Sequence, residues 1–184
     1  PAVWPVRCPH FEDFIAFVTR GNVDYAGYLQ RALGYTLFGH TNEQVLFVVF
    51  GHASNGKGTL FRAMLHVLGP FVTAVAPNLL SRAYAGNPQS PTPAIMALHG
   101  ARMYQCGEGE GRHRFDAAFV KQLSGSDLLT GRGNFSDQSQ FMPVGKLWLS
   151  ANDLPEVAQQ DEALWRRMLV LPFKAKIENR DGAY

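Results

Sequence analysis

The chain has 184 residues, enough for one domain with a proper core, and its 46% hydrophobic and 17% charged content excludes a largely disordered polymer. A formal net charge of +2 is too near balance to establish a nucleic-acid-binding face, so any such case rests on placed residues. The two cysteines, Cys8 and Cys106, lack Cys/His ligand spacing, which excludes a disulfide framework or zinc site, and the longest apolar run, 45–50, is far below the roughly 18 residues of a membrane span. With no signal pattern at the N-terminus, the expected location is cytoplasmic, the host cytoplasm if the protein is viral. A first residue that is Pro1 and a polar tail over 178–184 read as a piece of a longer protein.

In chain order, helical spacing comes first: Phe11, Phe14, Ile15 and Val18 form one apolar stripe, and Tyr25, Tyr28, Leu29 and Leu33 another, with Gly21 and Gly34 at the expected stops. These helices are read as packing material for the first strand after them. Strands then alternate with helices, the pattern of an open α/β sheet: strands are expected over 45–50, 71–76, 101–108, 146–150 and 168–173, and a helix over 59–68. The Gly- and Pro-rich stretch 78–93 reads as a long surface connection. The polar stretch 127–143, with Gly131 and Gly133 flanking Arg132, reads as a β-hairpin with a flexible tip.

The chemistry concentrates first in GHASNGKGT, Gly51 to Thr59. Such a loop needs glycines where backbone amides approach an anion, a lysine reaching the β/γ-phosphates of ATP, and a following helix whose N-terminus faces them. Gly51, Ser54, Asn55, Gly56, Lys57, Gly58 and Thr59 supply these parts between an expected strand and an expected helix. The position after the lysine is ordinarily a Ser or Thr that holds Mg2+; here it is Gly58, so the hydroxyl of Thr59 is the candidate replacement. Glu108 and Glu110, in GEGEG, follow the third strand at the sheet edge where open α/β folds bind ligands. Read alone, the same segment is a solvated acidic turn.

Five blocks in order, YLQRALGYTLFGHTNEQVLFVVFGHASNGKGTL, GARMYQCGEGEG, FVKQLSGSDLLTGR, KLWLSAND and DEALWRRMLVLPF, make the chain resemble the superfamily 3 helicases of phage and plasmid primase-helicases and their poxvirus relatives. The resemblance implies a P-loop NTPase of AAA+ type with a parallel central sheet, a short N-terminal helical lead or collar over 1–40, an ATPase domain over 41–184 and an inserted β-hairpin. It also implies a ring-forming, ATP-dependent DNA helicase, expected as a hexamer, with a primase or polymerase module on the full-length chain. Lys57 then grips phosphates, Glu108 corresponds to the Walker B acid, a candidate metal ligand, and Glu110 to its acidic companion; which of the two carboxylates holds Mg2+ and which orients water stays open. Asn152 matches the γ-phosphate sensor, and either Arg166 or Arg167 the arginine finger that reaches a neighbour's ATP. Lys121, Arg132 and Phe135 are the candidates for contact with single-stranded or forked DNA, Lys121 either directly or by bracing the hairpin. Two other readings stand beside this one: a nucleotide kinase, since GKGT also occurs in such enzymes, and an ATP-binding replication scaffold that does not hydrolyse.

Overall fold

The computed structural model describes residues 7–81, 91–107, 115–125, 127–154 and 161–177. Two helices lead, α1 (Pro9–Val18) and α2 (Val23–Leu37), followed by β1 (Leu46–Phe50), α3 (Lys57–Leu68) and β2 (Val72–Val75). A short α4 (Pro93–Met96), β3 (Met103–Cys106) and α5 (Ala117–Ser124) come next. The hairpin β4 (Leu129–Arg132) and β5 (Gln138–Phe141), then β6 (Lys146–Ala151), α6 (Glu162–Trp165) and β7 (Met168–Pro172), complete the described chain. The five main strands form one sheet in the order β2-β3-β6-β1-β7, and every neighbouring pair is parallel. This is the mixed α/β, parallel-sheet architecture of P-loop NTPases.

The sheet is covered on both faces, which is why β1 is a continuous apolar run and not an alternating one. Its alternate residues divide between two cores. Leu46 and Val48 join Tyr104, Leu147, Leu149, Val120, Leu123, Leu129 and Leu164 on the face under α5, α6 and the hairpin. Phe47 and Val49 join Trp148, Leu171, Val18, Leu29, Leu60 and Met64 on the face under α1, α2 and α3. Each fully buried aliphatic side chain contributes roughly 1.5–3 kcal/mol, so the leading helices are held by the same core that holds the central strand. The expected stop at Gly21 is present, with φ +74 just past α1. Gly34 is a correction: α2 runs through it to Leu37. Tertiary contacts outweigh the local cost of a helical glycine, for the hydroxyl of Thr36, one turn from Ala32, bonds the Ala32 carbonyl at 2.9 Å and accepts from Trp148 Nε1 at 2.9 Å.

The expected strands are all present; four are one or two residues shorter at one or both ends, the third stopping at Cys106 and not at 108, while the fourth runs one residue further, to Ala151. The helix after the loop begins at Lys57, two residues before the expected start, because Gly56, at φ +92, is the N-cap that turns the chain. In the long connection, a 3-10 turn over Pro77–Leu80 and α4 flank residues 82–90, which lie outside the described residues. The hairpin expectation is met by an antiparallel pair in which Thr130 faces Gln140 and Arg132 faces Gln138. Among the described residues no helix is long and apolar enough to cross a membrane.

Lys146, at the start of β6, is only 1% exposed. Its ammonium donates to the carbonyls of Phe38 and Val144 and lies 4.3 Å from the Tyr35 ring centroid. Burial, with a smaller push from Arg102, lowers its pKa to about 8. In the unfolded chain a lysine holds its proton to about pH 10.4. Between these values the unfolded state binds the extra proton, so this group makes stability rise with pH, while below pH 8 both states are charged and the burial penalty is fully present. The unfolding free energy of the wild type relative to Lys146→Met is expected to rise by on the order of 2 kcal/mol between about pH 8 and pH 10. Parallel pH profiles in denaturant titrations would contradict the assignment.

Candidate phosphate-binding site

The C-terminal edge of the sheet gathers the loop after β1, the end of β3 and the residue after β6. Gly51 N bonds the Ala151 carbonyl at 3.1 Å, which places the start of the loop directly beside the end of β6. Two glycines here are required by space. A Cβ on Gly51 would run into Asn55 Nδ2 and the Phe173 carbonyl, and one on Gly56 would meet Phe14 Cε2 and Val18 Cγ1 at 2.9 Å each. The first helix therefore packs against the back of the loop, a support that its apolar stripe alone did not disclose.

Lys57 opens α3 and is 7% exposed. Its ammonium donates to the Gly51 carbonyl, to the His52 carbonyl at 3.1 Å and to Asn152 Oδ1 at 2.8 Å. Two residues 95 positions apart thus meet through one hydrogen bond, because β1 and β6 are adjacent parallel strands ending at the same edge. Gly56 brings no side chain to cap α3, so the amides of the first helical turn face the loop with the positive end of the helix dipole behind them. A buried cation, such a helix start and a polar amide side chain at the C-terminal edge of a parallel sheet are what a nucleotide's phosphates require.

The Asn55 side chain is engaged within the fold. It is 4% exposed, its amide donates to the Phe173 carbonyl at 3.0 Å, and its oxygen accepts from Lys57 N at 3.3 Å. Its side chain braces the loop against the segment after β7, which also reaches the loop through Ile177 N to Ser54 O at 2.7 Å. Ser54 is exposed and holds φ +60. Gly58 and Thr59 are exposed, and nothing lies within 4 Å of where a Gly58 Cβ would stand, so its being glycine answers no steric demand in the fold. Glu108 and Glu110 lie outside the described residues; β3 delivers the chain to the same edge at Cys106 and Gly107. Among the described residues no group of three or more His, Cys, Asp or Glu is placed to hold a metal. Thr59 is exposed on the first turn of α3, and its hydroxyl is of the oxygen-donor type that Mg2+ takes.

The two arginines separate sharply. Arg167 is buried, its Nη2 donating to Gln44 Oε1 at 2.8 Å and its Nη1 to the Ala163 carbonyl at 3.3 Å, while its backbone carbonyl accepts from Leu46 N at 2.8 Å. Arg166 is exposed. Both precede β7, so they sit at the N-terminal edge of the sheet, and the five residues of β1 put roughly 16 Å of strand between that edge and the phosphate loop. Neither is near Lys57 of its own chain.

The hairpin leaves the same N-terminal edge. Gly131 lies under α4, where a Cβ would come within 2.7 Å of Met96 Sδ; the Thr92 N–H donates to the Arg132 carbonyl at 2.7 Å, and the Arg132 N–H donates to Thr92 Oγ1 at 2.9 Å. The Arg132 guanidinium reaches across the turn to the Ser136 carbonyl at 3.0 Å. Phe135 occupies the tip at φ +56 and is fully exposed, a bulky aromatic in a backbone region that L side chains avoid. Lys121, on α5, pairs with Asp161 at 3.1 Å. Asp161 has no place among the residues singled out from sequence, although its position before Glu-Ala-Leu is an N-cap signal.

No family model matches the sequence. Curated relatives include "Putative helicase L207/L206" of Acanthamoeba polyphaga mimivirus, 28% identical over 81% of this chain. Two more are "Putative helicase 022R" of Frog virus 3, 28% identical over 80%, and "Putative helicase 121R" of Invertebrate iridescent virus 3, 25% identical over 78%. The chain spans only 15% of the length of the first, 15% of the second and 16% of the third. Among solved structures, the apo NrS-1 C terminal region matches 99% of this chain and 42% of its own, at a TM-score of 0.69 and 13% identity. JCV Helicase matches 94% and 47%, at a TM-score of 0.54 and 12% identity. The chain is similar in sequence to viral proteins named as helicases and similar in fold to a helicase domain.

Proposed function

We propose that this chain is the ATP-hydrolysing core of a superfamily 3 DNA helicase that works in replication as a ring, a hexamer in the simplest case. The observation that carries the reading is the 2.8 Å bond between Lys57 and Asn152 at the C-terminal edge of a parallel sheet, which brings the loop lysine to the side chain we read as the γ-phosphate sensor. Similarity to viral proteins named as helicases supports the DNA motor over other uses of the loop.

Lys57 and the α3 amides bind the β/γ-phosphates of ATP, and Asn152 reads whether the terminal phosphate is present. Thr59 with Glu108 or Glu110 would hold Mg2+, which would neutralise charge on the transferring phosphoryl group, and the other carboxylate would orient the attacking water. Arg166, exposed and at the opposite sheet edge, completes the site of the next subunit, while Arg167 is a buried structural tie. The hairpin faces single-stranded or forked DNA, with Phe135 stacking on a base or ribose and Arg132 near phosphate. A primase or polymerase module elsewhere on the full-length protein and a host-cytoplasmic site of action fit a viral replication role.

Phe135→Ala tests the DNA part. It is expected to leave unstimulated ATP hydrolysis within about two-fold while weakening single-stranded DNA binding by about 1–3 kcal/mol, the worth of one base–aromatic stack. Fluorescence anisotropy with a labelled oligonucleotide reads the change. Unaltered affinity would place the DNA path elsewhere.

A further inference from the structure

The ion pair of Lys121 and Asp161 lies outside the phosphate site and joins two elements that matter to the proposed motor. Both carboxylate oxygens of Asp161 receive the Lys121 ammonium, at 3.3 and 3.1 Å, and the side chains are 32% and 18% exposed for Lys121 and Asp161 respectively. Asp161 Oδ1 also accepts from Leu164 N at 3.0 Å, so the same carboxylate caps α6. The hydrogen bond from Lys121, first of several causes, holds its carboxyl below the ordinary range.

Each partner stands at the root of something. Helix α6 has four residues, too few to fix its own direction. Apart from buried Leu164, its start is set by Asp161, and Arg166 follows directly after it. Lys121 lies in the last turn of α5, and the next residue, Gln122, ties that turn to the hairpin root through Nε2 to the Leu128 carbonyl at 2.6 Å. At the end of the helix, the Gly125 carbonyl is held by Thr41 Oγ1 at 2.7 Å, so the turn cannot drift freely from the sheet. The bonds Gln122–Leu128, Lys121–Asp161 and Asp161–Leu164 thus form a continuous path from the hairpin root to the turn that precedes Arg166.

We infer that Lys121 and Asp161 are positioning residues that couple the hairpin root to the arginine-bearing turn, so that engagement of the hairpin changes how Arg166 is presented to the neighbouring subunit. This coupling rests on the helicase reading of the chain. It also gives Lys121 a use that differs from direct contact with DNA, since its ammonium is committed to a carboxylate 40 positions away.

Asp161→Asn keeps an oxygen to cap α6 and loses the charge, so it isolates the pair from the cap. Asp161→Asn and Lys121→Gln are each expected to lower the DNA-stimulated kcat on the order of ten-fold, with the KM for ATP and the thermal midpoint near wild type. The double variant is expected to be no worse than either single one, and Lys121→Arg to restore stimulation. A second readout needs no turnover: hydrogen exchange of the backbone amides of residues 162–167 should accelerate in Lys121→Gln, although that substitution lies on another helix. If Lys121→Gln weakens oligonucleotide binding while Asp161→Asn does not, Lys121 is a DNA contact and the coupling is wrong. Unchanged exchange in both variants also overturns it. A wild-type chain that does not hydrolyse ATP sinks the helicase reading, and the exchange experiment then still decides the pair.

Discussion

Lys57→Ala is expected to reduce ATP turnover by at least about 10²–10³-fold, the loss seen when a preorganised electrostatic donor is removed from a reacting phosphoryl or acyl centre. The residue is 7% exposed and its ammonium is held at the sheet edge by Asn152, so on the proposed reading its charge already stands where phosphates would bind and little reorganisation is needed. Its present partners, the carbonyls of Gly51 and His52 and the Asn152 amide oxygen, are acceptors that phosphate oxygens would replace. Removing the lysine strands these acceptors, which costs about 1–3 kcal/mol of stability for an unsatisfied buried group. Turnover and unfolding should therefore be measured together. A loss of turnover explained entirely by unfolding at the assay temperature would remove Lys57 from the chemistry, and Lys57→Met, which keeps the packing volume, separates the two effects.

The second large effect is a contrast between adjacent arginines. Arg166→Ala is expected to reduce turnover by about 10³-fold or more, as loss of an arginine finger does, with stability changed by less than about 0.5 kcal/mol. Arg167→Ala is expected to destabilise by about 2–4 kcal/mol, because Gln44 and the Ala163 carbonyl lose a buried donor. Gln44 already holds φ +50, so the turn before β1 loses the contact that fixes it. Since Arg166 is at the edge opposite its own loop, an equimolar mixture of Arg166→Ala and Lys57→Ala chains should recover part of the activity that neither has alone. No recovery in a mixture shown to co-assemble would mean that Arg166 does not act across an interface.

Much of the fold was legible because its signals are local. The apolar run of β1, the glycines of the loop and the helix after it are specified within some twenty residues, and parallel strands buried on both faces leave no other pattern. The hairpin was legible from Gly131 and Gly133 around a polar tip. What the sequence left open depends on long-range pairing. Gly34 looks like a stop until Trp148, 112 positions beyond Thr36, is seen to hold that turn of α2 in place. The bond that ties the Asn55 side chain to the Phe173 carbonyl, 118 positions away, has no local pattern to announce it. Adjacent arginines are identical as letters, and only the turn after α6 decides that one is buried against Gln44 and the other faces out. The pairing of Lys121 with Asp161 is likewise a meeting of two elements, with no local pattern to announce it.

The central claim is tested most directly by measuring ATP hydrolysis by this chain with and without single-stranded DNA, over a range of protein concentrations. Turnover that rises with DNA and disappears in Lys57→Ala is the predicted result. Nucleotide binding with no hydrolysis under either condition, or transfer of the γ-phosphate to a nucleotide instead of water, would contradict it.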